Sequence, residues 1–208
     1  MDRLADPSVL AGYDAVVVNN CTSLGEAHAK GIDKALTDYV RAGGGIVQLH
    51  SSMDAFYDCP EITKMNGGRF FGHPWGLGEW SFANERPDHP LNAPFAQAKT
   101  FRATDEIYMQ KTPPFDRAKT HVLLSMDTAD EATRKSGERW NANPVVKDRF
   151  PLRADGDFAV SWYHAYGRGR VFHTSFGHDR HGFLDPRTFA HMLLGVQYAT
   201  GDLVPADR

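Results

Sequence analysis

Apolar and polar positions fall in blocks along this chain, and the blocks read as a β-α-β unit, a mixed region, a hairpin and a final helix. The first block is Asp14-Ala-Val-Val-Val-Asn-Asn20. Three consecutive valines behind an alanine predict a strand covered on both faces, as parallel sheets require. Ile32, Ala35, Leu36, Tyr39 and Val40 then recur at helical spacing and predict a helix over 26–42, with Ser23 and Glu26 at capping-box spacing. Gly43–Gly45 stop that helix, because glycine accepts the left-handed conformation of a C-terminal cap. Ile46–Leu49 is the next strand, so residues 14–50 form one unit with a right-handed crossover. This second strand delivers His50 and Ser51 to its C-terminal end, the edge at which open α/β sheets bind ligands.

Beyond Asp54 the pattern is mixed. Asp58-Cys59-Pro60-Glu61 opens a short helix, with Asp58 as cap and Pro60 in the first turn. Residues 67–74 make a turn that ends in His73-Pro74, Glu79–Ala83 alternates as a partly exposed strand, and Asp88-His89-Pro90 is a loop. His121–Met126 is a further strand. Residues 127–157 are polar and poorly periodic and read as a surface excursion, either lying over the site or standing as a plain insertion. Phe158–His164 and Val171–Phe176 form the arms of a hairpin around the glycine-rich Tyr166–Arg170. Asp185-Pro186 opens the last helix, whose apolar face is Phe189, Met192, Leu193 and Val196, and Gly201 ends it.

Composition narrows the function classes. A chain of 208 residues with 41% hydrophobic content buries a real core, and 1–208 reads as a single domain. A net charge of −3 with no basic run gives no reason to expect nucleic acid. No apolar run approaches membrane-spanning length, and the start lacks a signal pattern, so a cytoplasmic protein is expected. Cys21 and Cys59 stand far apart and form no C-x-x-C pair, which suggests two small buried thiols and no zinc ribbon or disulfide framework.

The candidate chemistry is carried by histidine. Of ten histidines, His50 and His178 end strands, while His73 and His89 sit in loops before proline. Such a set can do acid–base work on a polyol or carbonyl near neutral pH. Neutral imidazoles also bind transition metals with Asp or Glu completing the shell. No H-x-H or H-x-x-x-H spacing exists among the four, so a divalent metal site would have to be assembled from separate loops, and its ligands stay unassigned. A third role is hydrogen bonding to sugar hydroxyls, with Trp75, Trp80 and Trp162 able to stack on a sugar face. Ser51 lacks the G-x-S-x-G elbow of a serine hydrolase. Gly43–Gly45 precede a strand where a phosphate loop would open a helix.

Several motifs occur in the order seen in ThuA-like, trehalose-utilisation proteins. They are Tyr13-Asp14 into the valine strand, Gly43-Gly44-Gly45-Ile46-Val47 into His50, and Gly67-Gly68-Arg69-Phe70 into Gly72-His73-Pro74. Asp88-His89-Pro90, Thr104-Asp105-Glu106-Ile107-Tyr108, Trp162 with Gly167–Val171, and Gly177-His178-Asp179 follow in register. The resemblance implies an α/β fold, a flavodoxin-like three-layer sandwich of the class I glutamine amidotransferase-like type, and a role in disaccharide or oxidised-sugar catabolism. Glutamine hydrolysis is excluded, because His50-Ser51 stands where the amidotransferases carry a nucleophilic cysteine. The family pattern also has a β-strand and helix ahead of Tyr13 that this sequence lacks. Strands 14–20 and 46–49 must therefore pair directly or flank a gap filled by another chain. Met1 is accordingly expected to be an internal or misassigned start, or the start of a shortened paralogue.

The resulting expectation is a sugar- or ketosugar-processing protein whose enzymatic character is open. His50, His73, His178 and Asp179 are the catalytic candidates; Ser51, Trp80, His89, Asp105, Glu106 and Trp162 are the substrate-binding candidates. A non-catalytic carbohydrate-binding module and a metal-dependent hydrolase are the alternatives. The expected partner is a small-molecule sugar, with neither nucleic acid nor membrane, and self-association into a homo-oligomer is compatible with the sequence.

Overall fold

A computed structural model describes residues 2–23 and 30–207. Seven strands form one sheet: β1 (Ala15–Asn19), β2 (Gly45–Leu49), β3 (Trp75–Asn84), β4 (Thr100–Ile107), β5 (His121–Met126), β6 (Ala159–Tyr166) and β7 (Gly169–Thr174). Their order is β1-β2-β7-β6-β5-β3-β4. The β1, β2 and β7 strands are parallel, and every later pairing is antiparallel. The helices are α1 (Pro7–Leu10), α2 (Ile32–Arg41), α3 (Pro60–Asn66), α4 (Glu131–Ala142), α5 (Pro144–Arg149), α6 (Arg180–Leu184) and α7 (Pro186–Thr200).

The β1-α2-β2 unit follows from its apolar spacing. Ile32, Ala35, Leu36 and Val40 of α2 pack with Val18, Ile46 and Val171 on one face of the sheet. On the other face Val47, Leu49 and Phe172 pack with Met192, Tyr198 and Ala199 of α7. The result is the expected three-layer sandwich. Adjacent residues of β2 point to opposite faces and both faces are covered, so all five of its residues are buried. Gly45 does more than follow a helix stop: a Cβ there would stand 2.0 Å from the Ala199 carbonyl oxygen of α7. The start of the predicted helix over 26–42, including the Glu26 half of its capping box, lies outside the described residues; α2 itself begins at Ile32 behind Gly31, whose φ is 71°.

Three expectations are corrected. First, β1 is not covered on both faces. It is an edge strand in which Val18 is buried while Val17 is 47% exposed. It pairs directly with β2 through five residues, from Ala15 opposite Gly45 to Asn19 opposite Leu49, so no gap separates them. Second, residues 127–157 contain α4 and α5 where a structureless excursion was expected. The periodicity is missed because α4 buries Thr133, Ser136 and Gly137, which carry little apolar surface. Polar bonds do the docking: Trp75 Nε1 donates to the Thr133 carbonyl, and Ser136 Oγ donates to the Pro74 carbonyl. Third, α7 keeps its predicted span and its Asp185 and Gly201 caps but is rotated. Phe189 and Leu193 are exposed, while His191, Met192, Gly195 and Tyr198 face the sheet. Gly195 allows the close approach, since a Cβ there would lie 2.3 Å from the Phe172 ring.

Among the described residues, no helix is long and apolar enough to cross a membrane.

Candidate functional site

The β2, β4 and β7 strands run in the same direction, since four antiparallel steps, β7-β6, β6-β5, β5-β3 and β3-β4, separate β7 from β4. Their C-terminal ends share one edge, and the sheet curls until the end of β4 meets the turn after β7. Asp105 seals that closure. Its carboxylate accepts the backbone N–H groups of Gly177 at 2.8 Å, His178 at 3.0 Å and Glu106 at 2.9 Å. Burial pushes the Asp105 carboxyl upward, and the three N–H donors oppose that shift by favouring the anion.

With the strand ends so fixed, four side chains converge. Glu106 Oε2 lies 3.4 Å from His50 Nε2 and 3.2 Å from His178 Nδ1, and Glu106 Oε1 lies 3.4 Å from His73 Nδ1. His178 Nδ1 is also 3.1 Å from His50 Nε2. His50 is buried at the start of the turn His50–Asp54 and has a φ of 47°. A left-handed conformation at a non-glycine residue is costly and tends to persist where surrounding structure enforces it for a function. His50 Nδ1 sits 2.8 Å from the Ser175 carbonyl oxygen. A carbonyl can only accept, so Nδ1 carries a proton and donates; in the neutral ring Nε2 then presents its lone pair toward Glu106 and His178, and in the imidazolium it donates to them.

The neighbours complete the electrostatics. Burial raises the Glu106 carboxyl, but the hydrogen bond with His50 and the charges of His73, His178 and His50 outweigh it and hold the group below the usual range. Asp54 is pushed up by burial, opposed by His73, Arg69 and His50. Tyr108 packs its ring 4.4 Å from that of His50; burial, then Glu106 and Asp54, push its phenol up and keep it protonated. Trp140 of α4 stands edge-on to His73 at 5.2 Å. Through this contact the 127–157 region reaches the histidine cluster.

The sequence-predicted residues separate into two groups. His50, His73, His178 and Glu106 come together. Asp105 does not line the site: it is fully buried and its oxygens are taken by backbone. Trp162 is fully buried and donates to the Asn66 carbonyl, so it offers no sugar platform. Trp75 is also buried, and Trp80 turns its indole N–H to Gly76 of its own strand. Ser51 donates to Asn20, whose amide in turn donates to the Gly177 carbonyl, so it ties strand ends together. Asp179 caps α6 and bonds the His181 backbone and ring. His89 reaches Tyr163 and Asp207, toward the opposite edge of the sheet. The sequence reading missed Asp54, Tyr108 and Trp140. Tyr108 lies inside a motif singled out from the sequence, Asp54 four residues after His50, and Trp140 in the 127–157 region expected to be a surface excursion.

Burial disfavours the thiolate at both cysteines. Cys59 is buried, and burial followed by Asp33 and Asp58 raises its thiol to about 11; Cys21 is also raised by burial.

The same architecture recurs in solved structures. A ThuA-like protein from Bacteroides uniformis shares 19% identity, with a TM-score of 0.66 over 96% of this chain and 74% of its own. A cytoplasmic protein from Salmonella typhimurium LT2 shares 13% identity, with a TM-score of 0.56 over 96% of this chain and 78% of its own. A β-galactosidase from Bacillus circulans aligns 92% of this chain to 23% of its own length, with a TM-score of 0.53 and 12% identity. At these identities the likeness is one of fold. A comparison with curated proteins gives no match. The model of the ThuA family, described as trehalose utilisation, matches residues 1–199. That match spans the sheet, the helices and every member of the histidine cluster, and the chain belongs to the ThuA trehalose-utilisation family.

Proposed function

We propose that this chain is a cytoplasmic enzyme that acts on trehalose or a related disaccharide or ketosugar by acid–base chemistry at the Glu106 cluster. The observation that carries this reading is the convergence of three imidazoles on one carboxylate at the C-terminal edge of the parallel strands. Glu106 is the anion around which the imidazoles are ordered. His73, 46% exposed and bonded through Nδ1 to Glu106, is the group that exchanges a proton with a sugar hydroxyl or carbonyl. His50 and His178 hold the other carboxylate oxygen and face the inner side of the site. The tryptophan suited to stacking on a sugar is Trp140, beside His73, in place of Trp80 and Trp162.

Incubating the purified chain with trehalose and with its keto derivative, and following the sugars by NMR, tests the reading. Turnover that falls at least ~10²-fold in His73→Gln with an unchanged melting temperature supports it. Saturable sugar binding without turnover would show a carbohydrate-binding module instead.

A further inference from the structure

Three donor atoms meet in the inner half of the cluster at nearly equal separations: His50 Nε2 to His178 Nδ1 is 3.1 Å, His178 Nδ1 to Glu106 Oε2 is 3.2 Å, and Glu106 Oε2 to His50 Nε2 is 3.4 Å. Hydrogen bonding alone does not satisfy this triangle. The carboxylate oxygen only accepts, and in the neutral ring His50 Nε2 also accepts because the Ser175 carbonyl holds the ring proton on Nδ1. With neutral imidazoles, the one N–H on His178 Nδ1 can serve only the two sides that meet at that atom. The lone pairs of His50 Nε2 and Glu106 Oε2 then face each other.

We infer that His50, Glu106 and His178 bind a divalent first-row transition ion of zinc type, with its remaining position open to solvent. Four-coordinate zinc with bonds of about 2.0–2.1 Å separates its ligand atoms by about 3.3–3.4 Å, which the triangle approaches without rearrangement. Two imidazoles and one carboxylate form a donor set suited to zinc, cobalt, manganese or iron and poorly suited to magnesium or calcium. Supporting contacts are already in place. Ser175 fixes the tautomer of His50, His73 holds the free oxygen of Glu106, and Asp105 pins the backbone of His178. The side chains are 1%, 15% and 38% exposed for His50, Glu106 and His178, so the triangle opens toward solvent on the His178 side. Three protein ligands with an open fourth position are the pattern of a catalytic ion, not of a closed structural one. No local motif announces it because the ligands come from the ends of β2 and β7 and from β4. The inference rests on donor geometry and is independent of which sugar the protein acts on.

The test uses the full chain stripped with a chelator and titrated calorimetrically with zinc chloride, then with magnesium chloride. One zinc per chain, bound at least 100-fold more tightly than magnesium, is expected. His178→Ala, at the most exposed ligand, weakens zinc at least tenfold with an unchanged circular dichroism spectrum, while His121→Ala binds as the parent does. Cobalt supplies a second readout, the intense visible absorption of a tetrahedral complex, lost in Glu106→Gln. Absence of stoichiometric zinc binding, or equal binding by His178→Ala, overturns the inference. Full sugar turnover by the stripped protein would likewise overturn a catalytic ion while leaving the sugar reading standing. Zinc binding without turnover of any sugar would do the reverse.

Discussion

Glu106 and Asp207 each gather histidines, at opposite edges of the same sheet. Around Asp207 lie His89 at 3.5 Å, His121 at 3.9 Å and the hydroxyl of Tyr163 at 2.6 Å. Arg86 is also paired with this carboxylate. Burial disfavours the Asp207 anion, but the bonds from Tyr163 and Arg86 prevail and hold it at about 2. This cluster is complete: a permanent cation neutralises the carboxylate, a hydroxyl donates to it, and together they tie the C-terminal tail to β5 and β6. The Glu106 cluster has no such cation in its triangle. It has a strained His50, a tautomer fixed from behind, and more lone pairs than protons. A carboxylate with histidines is therefore not yet a site; convergent groups left short of partners at a strand edge are the better sign of one.

The largest effect should come from breaking each cluster in turn. Glu106→Gln is expected to lower sugar turnover by roughly 10²–10⁴-fold, within the range of lost acid–base catalysis, with little change in melting temperature. Asp207→Asn should leave turnover unchanged. Equal losses in steady-state assays would erase the distinction.

Asp105 sharpens the comparison from behind the site. Asp105→Ala removes the acceptor of three backbone N–H groups and should cost roughly 3 kcal/mol in chemical denaturation. Because it also frees the Gly177-His178 turn, it should reduce turnover in the fraction that remains folded.

A third effect separates both clusters from histidines that merely pack. Burial lowers His164 and His191 to about 4 and His173 to about 3, from an ordinary value of 6.5. Unfolding lets these rings take up protons that the folded chain refuses. Stability is therefore full above about pH 6.5 and falls as the pH drops toward 4, by an amount on the order of several kcal/mol. A melting curve independent of pH over that window would contradict this assignment. The smallest effect is the tail: Asp207→Ala exposes a partly solvated ion pair and should cost under about 1 kcal/mol.

Much of this architecture is legible in the residues. The valine strand, the α2 spacing and Ile46–Leu49 mark the parallel half, and the Phe158–Phe176 hairpin and the caps of α7 are where the pattern puts them. His50, His73 and His178 are legible as strand-end and loop histidines. The centrality of Glu106 is not, because β4 lies at the far end of the strand order and reaches β7 only through the curl that Asp105 closes. The helices in 127–157 escape notice because they dock through Thr133 and Ser136 instead of an apolar stripe. The buried face of α7 is misread because Gly195 and His191, not Phe189 and Leu193, lie against Phe172. Trp162 misleads because a tryptophan on a buried strand and one at a sugar site look alike in one dimension.

The most direct test of the Glu106 edge as the working site is a backbone NMR titration with disaccharide. The account predicts shift changes concentrated in residues 50–54, 70–73, 105–108, 140 and 177–181, and none at 86–89, 121 or 207. Changes centred instead on the opposite edge, at Asp207 or in the cleft lined by Tyr13, Lys34, Tyr39 and Arg170, would contradict it.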